Sequence, residues 1–186
     1  MSELLDLHGQ AMQEFDRRVH AIRPGQWPDP TPCISWDVRD LVDHIVGEQL
    51  WVPYLLSGGR IEDAGDDFAD DPLGEDPISA WEVSARDARA AWLRPGATER
   101  TVHLSFGDVP GSVYLWQMTF DLAVHAWDLG RGIGEDETLD TRLSETLLDW
   151  WQDQGISGGP MFADPVPVGE TADAQSRLLA STGRRP

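Results

Sequence analysis

Three of the five histidines in this 186-residue chain, His8, His44 and His125, stand where a packing side chain belongs. The stretch TFDLAVHAWDLG, 119–130, reads as amphipathic helix. Leu115, Met118, Leu122, His125 and Leu129 recur at the spacing that faces a core. His44 lies on the equivalent line of an earlier segment, with Leu41, Trp51 and Leu55. An imidazole on a buried line needs a partner for each ring nitrogen or it costs stability. Asp121 stands one turn before His125, about 40° round the helix, and Asp128 is about 60° away. Either carboxylate therefore projects inward with the imidazole. Facing helices of a bundle build metal sites from such inward carboxylates and histidines. Two imidazoles and one carboxylate hold a divalent cation and leave coordination positions open for exchange. Zinc, nickel, iron and manganese all accept that set, and it requires little proton release near neutral pH. The same residues also fit a quieter pattern, with His125 hydrogen-bonded to Asp121 and His44 paired with Glu48 or Asp40. Glu48 and Asp128 are rival ligands, each one turn from a candidate histidine.

Rigid elements must position these groups. Apolar spacing predicts a helix over 3–22, with Leu4, Leu5, His8, Met12, Phe15, Val19 and Ile22 on its stripe, ended by the crossing RPGQWPDPTP. A second helix starts near Asp37, with Asp37 as N-cap and Asp40 at the third helical position. Pro53 inside it predicts a kink or an early end, and SGG at 57–59 stops it. The acidic stretch RIEDAGDDFADDPLGE, 60–75, reads as a surface loop. A third helix follows, capped by Asp76 with Pro77 in its first turn, on an apolar line of Ile78, Trp81, Ala85, Ala88 and Trp92. Then the period changes. Val102, Leu104 and Phe106 alternate and GDVPG signals a turn, which predicts a short hairpin or extended crossing. A fourth helix over 112–131, a fifth over 140–154 capped by Asp140, and an extended tail with a short helix at 172–181 complete the chain. These elements predict an all-α helical bundle in a single domain, 1–186, with the tail 155–186 packed on it. The long connections after the first two helices permit a topology other than simple up-down.

Composition narrows the partners. The formal charge is −19, and all 14 basic residues are arginine. Such an acidic field repels nucleic-acid phosphates and anionic membrane surfaces and concentrates cations. No apolar run approaches the roughly 20 residues of a membrane span. The N-terminus reads as a polar-faced helix rather than a signal peptide, so a cytoplasmic protein with no membrane partner is expected. The single cysteine, Cys33, excludes an internal disulfide. It reads as a small packed residue ahead of the second helix, with a redox role as the alternative. Nine tryptophans against two tyrosines point to core or interface packing, and from them a homodimer is expected. His8 reads as packing, His20 as surface and His103 as solvent-facing, opposite Val102 and Leu104. Arg184 and Arg185 read as a solvated tail, or as partners for an acidic substrate if the tail folds over the site. GIG and SGG are helix stops rather than phosphate loops, and no Ser–His–Asp spacing stands out.

The segments TPCISWDVRDLVDHIVGEQLWVPYLL, YLWQMTFDLAVHAWDLGRGIG and RLLASTGRRP resemble the DinB-like proteins. The resemblance is to the branch named for mycothiol-dependent maleylpyruvate isomerase, and within it to a short actinobacterial metal-binding subgroup. It extends over about residues 5–186. It implies a DinB-like four-helix bundle, with the short extended crossing before the metal-binding helix and a C-terminal tail. It also implies one divalent ion, zinc foremost, held by one residue of the second helix and two of a later helix at i and i+4. Carried over, these are His44, Asp121 and His125. The related isomerases have glutamate where this chain has Asp121, which implies a closer helix or a weaker hold. The implied activity is metal-dependent transfer of a low-molecular-weight thiol such as mycothiol, as cosubstrate, to an electrophile. Maleylpyruvate isomerisation itself is not expected, because the isomerase has a further C-terminal domain and this chain has about 30 residues after the fifth helix. The alternatives are a non-catalytic metal- or ligand-binding bundle and a structural dimer with no metal.

Overall fold

A computed structural model describes residues 2–64, 71–155 and 162–186. Backbone contacts group the chain into two compact units, Met1–Asp136 and Glu137–Pro186. The first holds helices α1 (Ser2–Val19), α2 (Val38–Leu56) and α3 (Pro77–Trp92), strands β1 (Thr101–Leu104) and β2 (Gly107–Pro110), and helix α4 (Gly111–Ile133). The second holds α5 (Thr141–Gln154) and the short α6 (Ala174–Ser181), which pack on each other. The fold is all-α, and its one sheet among the described residues is the two-stranded antiparallel hairpin β1–β2. No helix among the described residues is long and apolar enough to cross a membrane.

In the first unit α1 packs on α4 and α2 on α3, while α2 also meets α4 and α1 meets α3. That closes a four-helix bundle in which α2 and α4, the two helices carrying the candidate residues, are neighbours. The helix starts follow local chemistry. Asp37 accepts from the Asp40 backbone N–H at 2.9 Å while Asp40 accepts from the Asp37 N–H at 3.0 Å, a reciprocal cap that fixes the first turn of α2. Asp76, Asp140 and Asp173 cap α3, α5 and α6, each accepting the backbone N–H three residues on. Helix α1 closes sooner than its stripe suggests. The Ala21 and Ile22 N–H groups bond only three residues back, to Arg18 and Val19, which tightens the last turn. Pro53 does not end α2, which continues to Leu56. The expected loop over 60–75 contains a single 3-10 turn at Ile61–Asp63, and 65–70 lie outside the described residues, as do 156–161 of the expected extended tail.

The core forms where the stripes meet. Trp81, Trp92, Trp127, Phe15, Leu41, Ile45 and Leu115 are fully buried, and Phe15 lies against Trp81 with ring centroids 4.9 Å apart. His8 packs there as expected. It is fully buried, with Nδ1 3.1 Å from the Arg89 guanidinium. Burial first, then the Arg89 charge, lowers its pKa to about 3. His20 lies on the surface with Nε2 3.0 Å from Glu82.

Candidate metal centre

The polar interruptions of the two buried stripes converge. From α2, His44 Nε2 lies 3.1 Å from Oδ2 of Asp121 on α4. From the next turn of α4, His125 Nε2 lies 3.3 Å from Asp121 Oδ1. Donor atoms of His44, Asp121 and His125 all lie within 4.8 Å of one another. The two imidazoles meet edge to face, centroids 5.2 Å apart. His44 therefore pairs with Asp121, and neither with Glu48 nor with Asp40.

A second group meets the far nitrogen of His125. His125 Nδ1 lies 3.0 Å from Asp128 Oδ2, and the Cys33 thiol donates to the same oxygen at 3.2 Å while standing 3.6 Å from Nδ1. Cys33, His125 and Asp128 thus form a second candidate ligand set, sharing His125 with the first. Asp128 is wholly buried, and its carboxylate orients the imidazole: with the Nδ1 proton donated to Asp128, Nε2 is the nitrogen that faces Asp121 and His44. The centre opens on one side. His125 and Asp128 side chains are 9% and 0% exposed, whereas His44 and Asp121 are 29% and 28% exposed.

The loop before α2 carries the rest of the wall. Thr31 closes it, its N–H and Oγ1 both donating to the Trp36 carbonyl, and Trp36 N–H returns to the Cys33 carbonyl. Ser35 takes a left-handed φ of 72° inside this turn. The loop lies close against α4, because a Cβ at Gly132 would come within 3.2 Å of the Thr31 methyl and 3.4 Å of the Pro30 carbonyl. Only glycine admits that approach without displacement. Seated there, the Trp36 ring covers both imidazoles, 4.9 Å from His44 and 5.8 Å from His125.

The electrostatics are those of one partly exposed carboxylate shared between two imidazoles. Burial opposes charge on Asp121, but the charge and hydrogen bond of His125, with the bond from His44, hold its carboxyl far below the usual range. Burial likewise opposes charge on His125, and the Asp121 charge followed by bonds to Asp121, Asp128 and Cys33 raises its pKa well above normal. Glu48, one turn along α2, joins neither candidate set. Its carboxyl is pushed up by burial and by the Asp121 charge.

Cys33 and Trp36 are the members of this centre that sequence reasoning did not assign to it. The local signal was there in TPCISWD, a cysteine and a tryptophan just ahead of a helix cap, but only the tertiary approach to α4 brings them to the imidazoles. His103 is half-buried rather than solvent-facing. Its side chain turns to Asp108 on the paired strand, at 2.7 Å, where the Asp108 carboxylate accepts an imidazole proton.

Comparison with known proteins gives likenesses of three kinds. The family model described as mycothiol maleylpyruvate isomerase N-terminal domain matches residues 8–130. Uncharacterized proteins from two strains of Mycobacterium tuberculosis are each 30% identical over 187 residues, with 95% of this chain and 95% of theirs covered. The crystal structure of the mycothiol-dependent maleylpyruvate isomerase superposes with a TM-score of 0.64 at 19% identity, over 85% of this chain and 73% of that one. A mutant of that enzyme superposes equally well, at 18% identity.

Proposed function

The chain belongs to the family of the mycothiol maleylpyruvate isomerase N-terminal domain, and on that premise we propose that it binds one divalent metal ion through His44, Asp121 and His125 and transfers a low-molecular-weight thiol, mycothiol or its equivalent, to an electrophile. The reading rests on one observation above all: three donor atoms from two helices face a common point. An ion with bonds near 2.1 Å needs neighbouring donors about 3.4 Å apart in a tetrahedral arrangement. The three donor atoms lie within 4.8 Å of one another, and each imidazole reaches a different Asp121 oxygen, at 3.1 Å and 3.3 Å, a spacing near that requirement. Two imidazoles and one carboxylate suit zinc, with nickel, iron and manganese as competitors.

The protein's own contribution is orientation and access. Asp128 fixes the His125 tautomer, so a nitrogen lone pair rather than an N–H faces the ion. Trp36 closes one wall, while the partly exposed His44 and Asp121 leave an approach for a ligand. A divalent ion bound there would bring a coordinating thiol to the thiolate, the nucleophilic form, so no side chain need serve as nucleophile. The maleylpyruvate isomerase activity named for the structural neighbour is not assigned to this chain.

Elemental analysis of protein purified without a histidine tag tests the site. About one ion per chain is expected, with its loss in His44→Ala and in His125→Ala. Stoichiometric metal in both variants would overturn the ligand assignment. Addition of mycothiol to the cobalt-substituted protein is then expected to raise a thiolate-to-metal absorption band. A metal-loaded protein with no such band would reduce the assignment to metal binding alone.

A further inference from the structure

A cavity of about 180 Å³ lies beside the centre, between α2, α4 and the tip of the β1–β2 hairpin. Its walls include Glu48, Trp51 and Leu55 from α2, Tyr114 and Gln117 from α4, and Phe106 from the hairpin turn. These positions continue the faces that carry the candidate ligands. On α2, Glu48 follows His44 by one turn, and Trp51 and Leu55 succeed it at helical spacing. On α4, Gln117 and Tyr114 precede Asp121 by one and two turns. At 1.5 Å of rise per residue, Tyr114 lies about 10 Å along α4 from Asp121, and Glu48 about 6 Å along α2 from His44. The cavity is therefore the next space along the same inter-helix groove.

Two further observations say what the cavity would take. Its volume exceeds the roughly 150 Å³ of an apolar cavity known to hold benzene, so one six-membered ring or a short alkyl chain fits. Trp51, Leu55 and Phe106 supply apolar contact for such a group. Among the lining residues, the Tyr114 side chain is buried and its hydroxyl has no hydrogen-bond partner among the described residues. Burial, then the charges of Glu48 and Asp121, push that hydroxyl well above its ordinary pKa, so it remains an O–H donor. An unsatisfied buried donor costs stability, and a ligand acceptor reaching it would recover that cost.

We propose that this cavity is the acceptor subsite: it seats the apolar body of a small electrophile, up to one ring in size, and Tyr114 donates a hydrogen bond to an uncharged oxygen on it, of the carbonyl kind. A carboxylate-bearing tail would be disfavoured there, because Glu48 lines the wall and Asp121 stands along the groove. As a subsite of the transfer reaction this rests on the proposed metal–thiol reading, but binding in the cavity is measurable without it.

The test uses two probes of equal shape, cyclohexanone and methylenecyclohexane, titrated against the full chain by saturation-transfer NMR. Wild type is expected to bind the ketone about fivefold more tightly, the size of one net hydrogen bond. Tyr114→Phe, which removes only the hydroxyl, is expected to bind both probes equally. Ser105→Trp at the exposed rim is expected to weaken both. His125→Ala is expected to leave both affinities unchanged, so failure of the metal assignment and failure of the subsite give different results. Equal binding of the probes by wild type would overturn the proposal, as would a ketone preference that survives in Tyr114→Phe or binding unaffected by Ser105→Trp.

Discussion

Asp128 is where the proposed centre is most open to a quantitative challenge, because it touches the proposed ion only through His125. Its carboxylate is fully buried and lies 3.0 Å from His125 Nδ1. A hydrogen bond to a charged acceptor contributes about 1.5–3 kcal/mol, against about 1 kcal/mol for a neutral one. In Asp128→Asn the side-chain carbonyl still accepts from Nδ1 but without charge. The loss of about 1 kcal/mol corresponds to roughly fivefold weaker metal binding. In Asp128→Ala the imidazole loses its orienting partner, and the expected loss is about 10- to 100-fold, the usual range for partners one shell out. Competition against a chromophoric zinc chelator reads both, with thermal midpoints recorded to separate site loss from unfolding. The expected order is wild type, then asparagine, then alanine. An alanine variant that is folded and binds the ion within twofold of wild type would refute the orienting role.

Two other outcomes follow from the same coordinates. Cys33→Ser is expected to keep about one ion per chain, because the thiol belongs to the Nδ1 side of His125; loss of metal in that variant, by elemental analysis, would transfer the site to the Cys33, His125 and Asp128 set. His8, with a pKa lowered to about 3, is neutral in the folded state while an unfolded histidine protonates near 6.5, so the unfolded chain binds more protons as pH falls from about 6.5 towards 3 and stability is lost across that window. Between pH 7 and pH 5 this loss is about 2 kcal/mol, and urea unfolding of wild type is expected to show that much more pH sensitivity than His8→Leu; equal sensitivity in the two proteins would contradict a neutral buried His8.

What the sequence disclosed follows the range of the forces involved. The caps at Asp37, Asp76 and Asp140 were legible because a side chain three residues from its backbone partner needs nothing else to form the bond. The convergence of His44 with Asp121 and His125 was legible at one remove, since each interrupts an apolar stripe and stripes in a bundle face each other. The hairpin was located, but its turn was misplaced. GDVPG looked like the turn, yet Gly107–Pro110 is the second strand, with Val109 opposite Val102 and Pro110 opposite Thr101, and the chain reverses at Ser105 and Phe106. Pro110 is tolerated because it ends the strand, where a missing N–H costs little, and Gly107 adopts the φ of 135° that follows the turn. Pro53 likewise interrupts only the last turn of α2, so the helix absorbs it. Cys33 and Trp36 were illegible because their place depends on a loop docking over Gly132, about a hundred residues away along the chain.

Asp121 is the position at which chain length and site chemistry meet. The family resemblance led to an expectation of glutamate there, and aspartate is shorter by one methylene, about 1.5 Å. The shorter side chain nevertheless touches both imidazoles, one with each oxygen, at 3.1 Å and 3.3 Å. Helix α2 packs directly against α4, which brings His44 within hydrogen-bond reach of that carboxylate. A longer acid at 121 would have to fold back or extend along the groove, where Glu48 already carries a carboxyl pushed up by burial and by the Asp121 charge. Two acids crowded into that groove would repel each other unless one took a proton. Aspartate keeps the negative charge between the histidines and leaves the space beside Glu48 and Tyr114 free for a ligand.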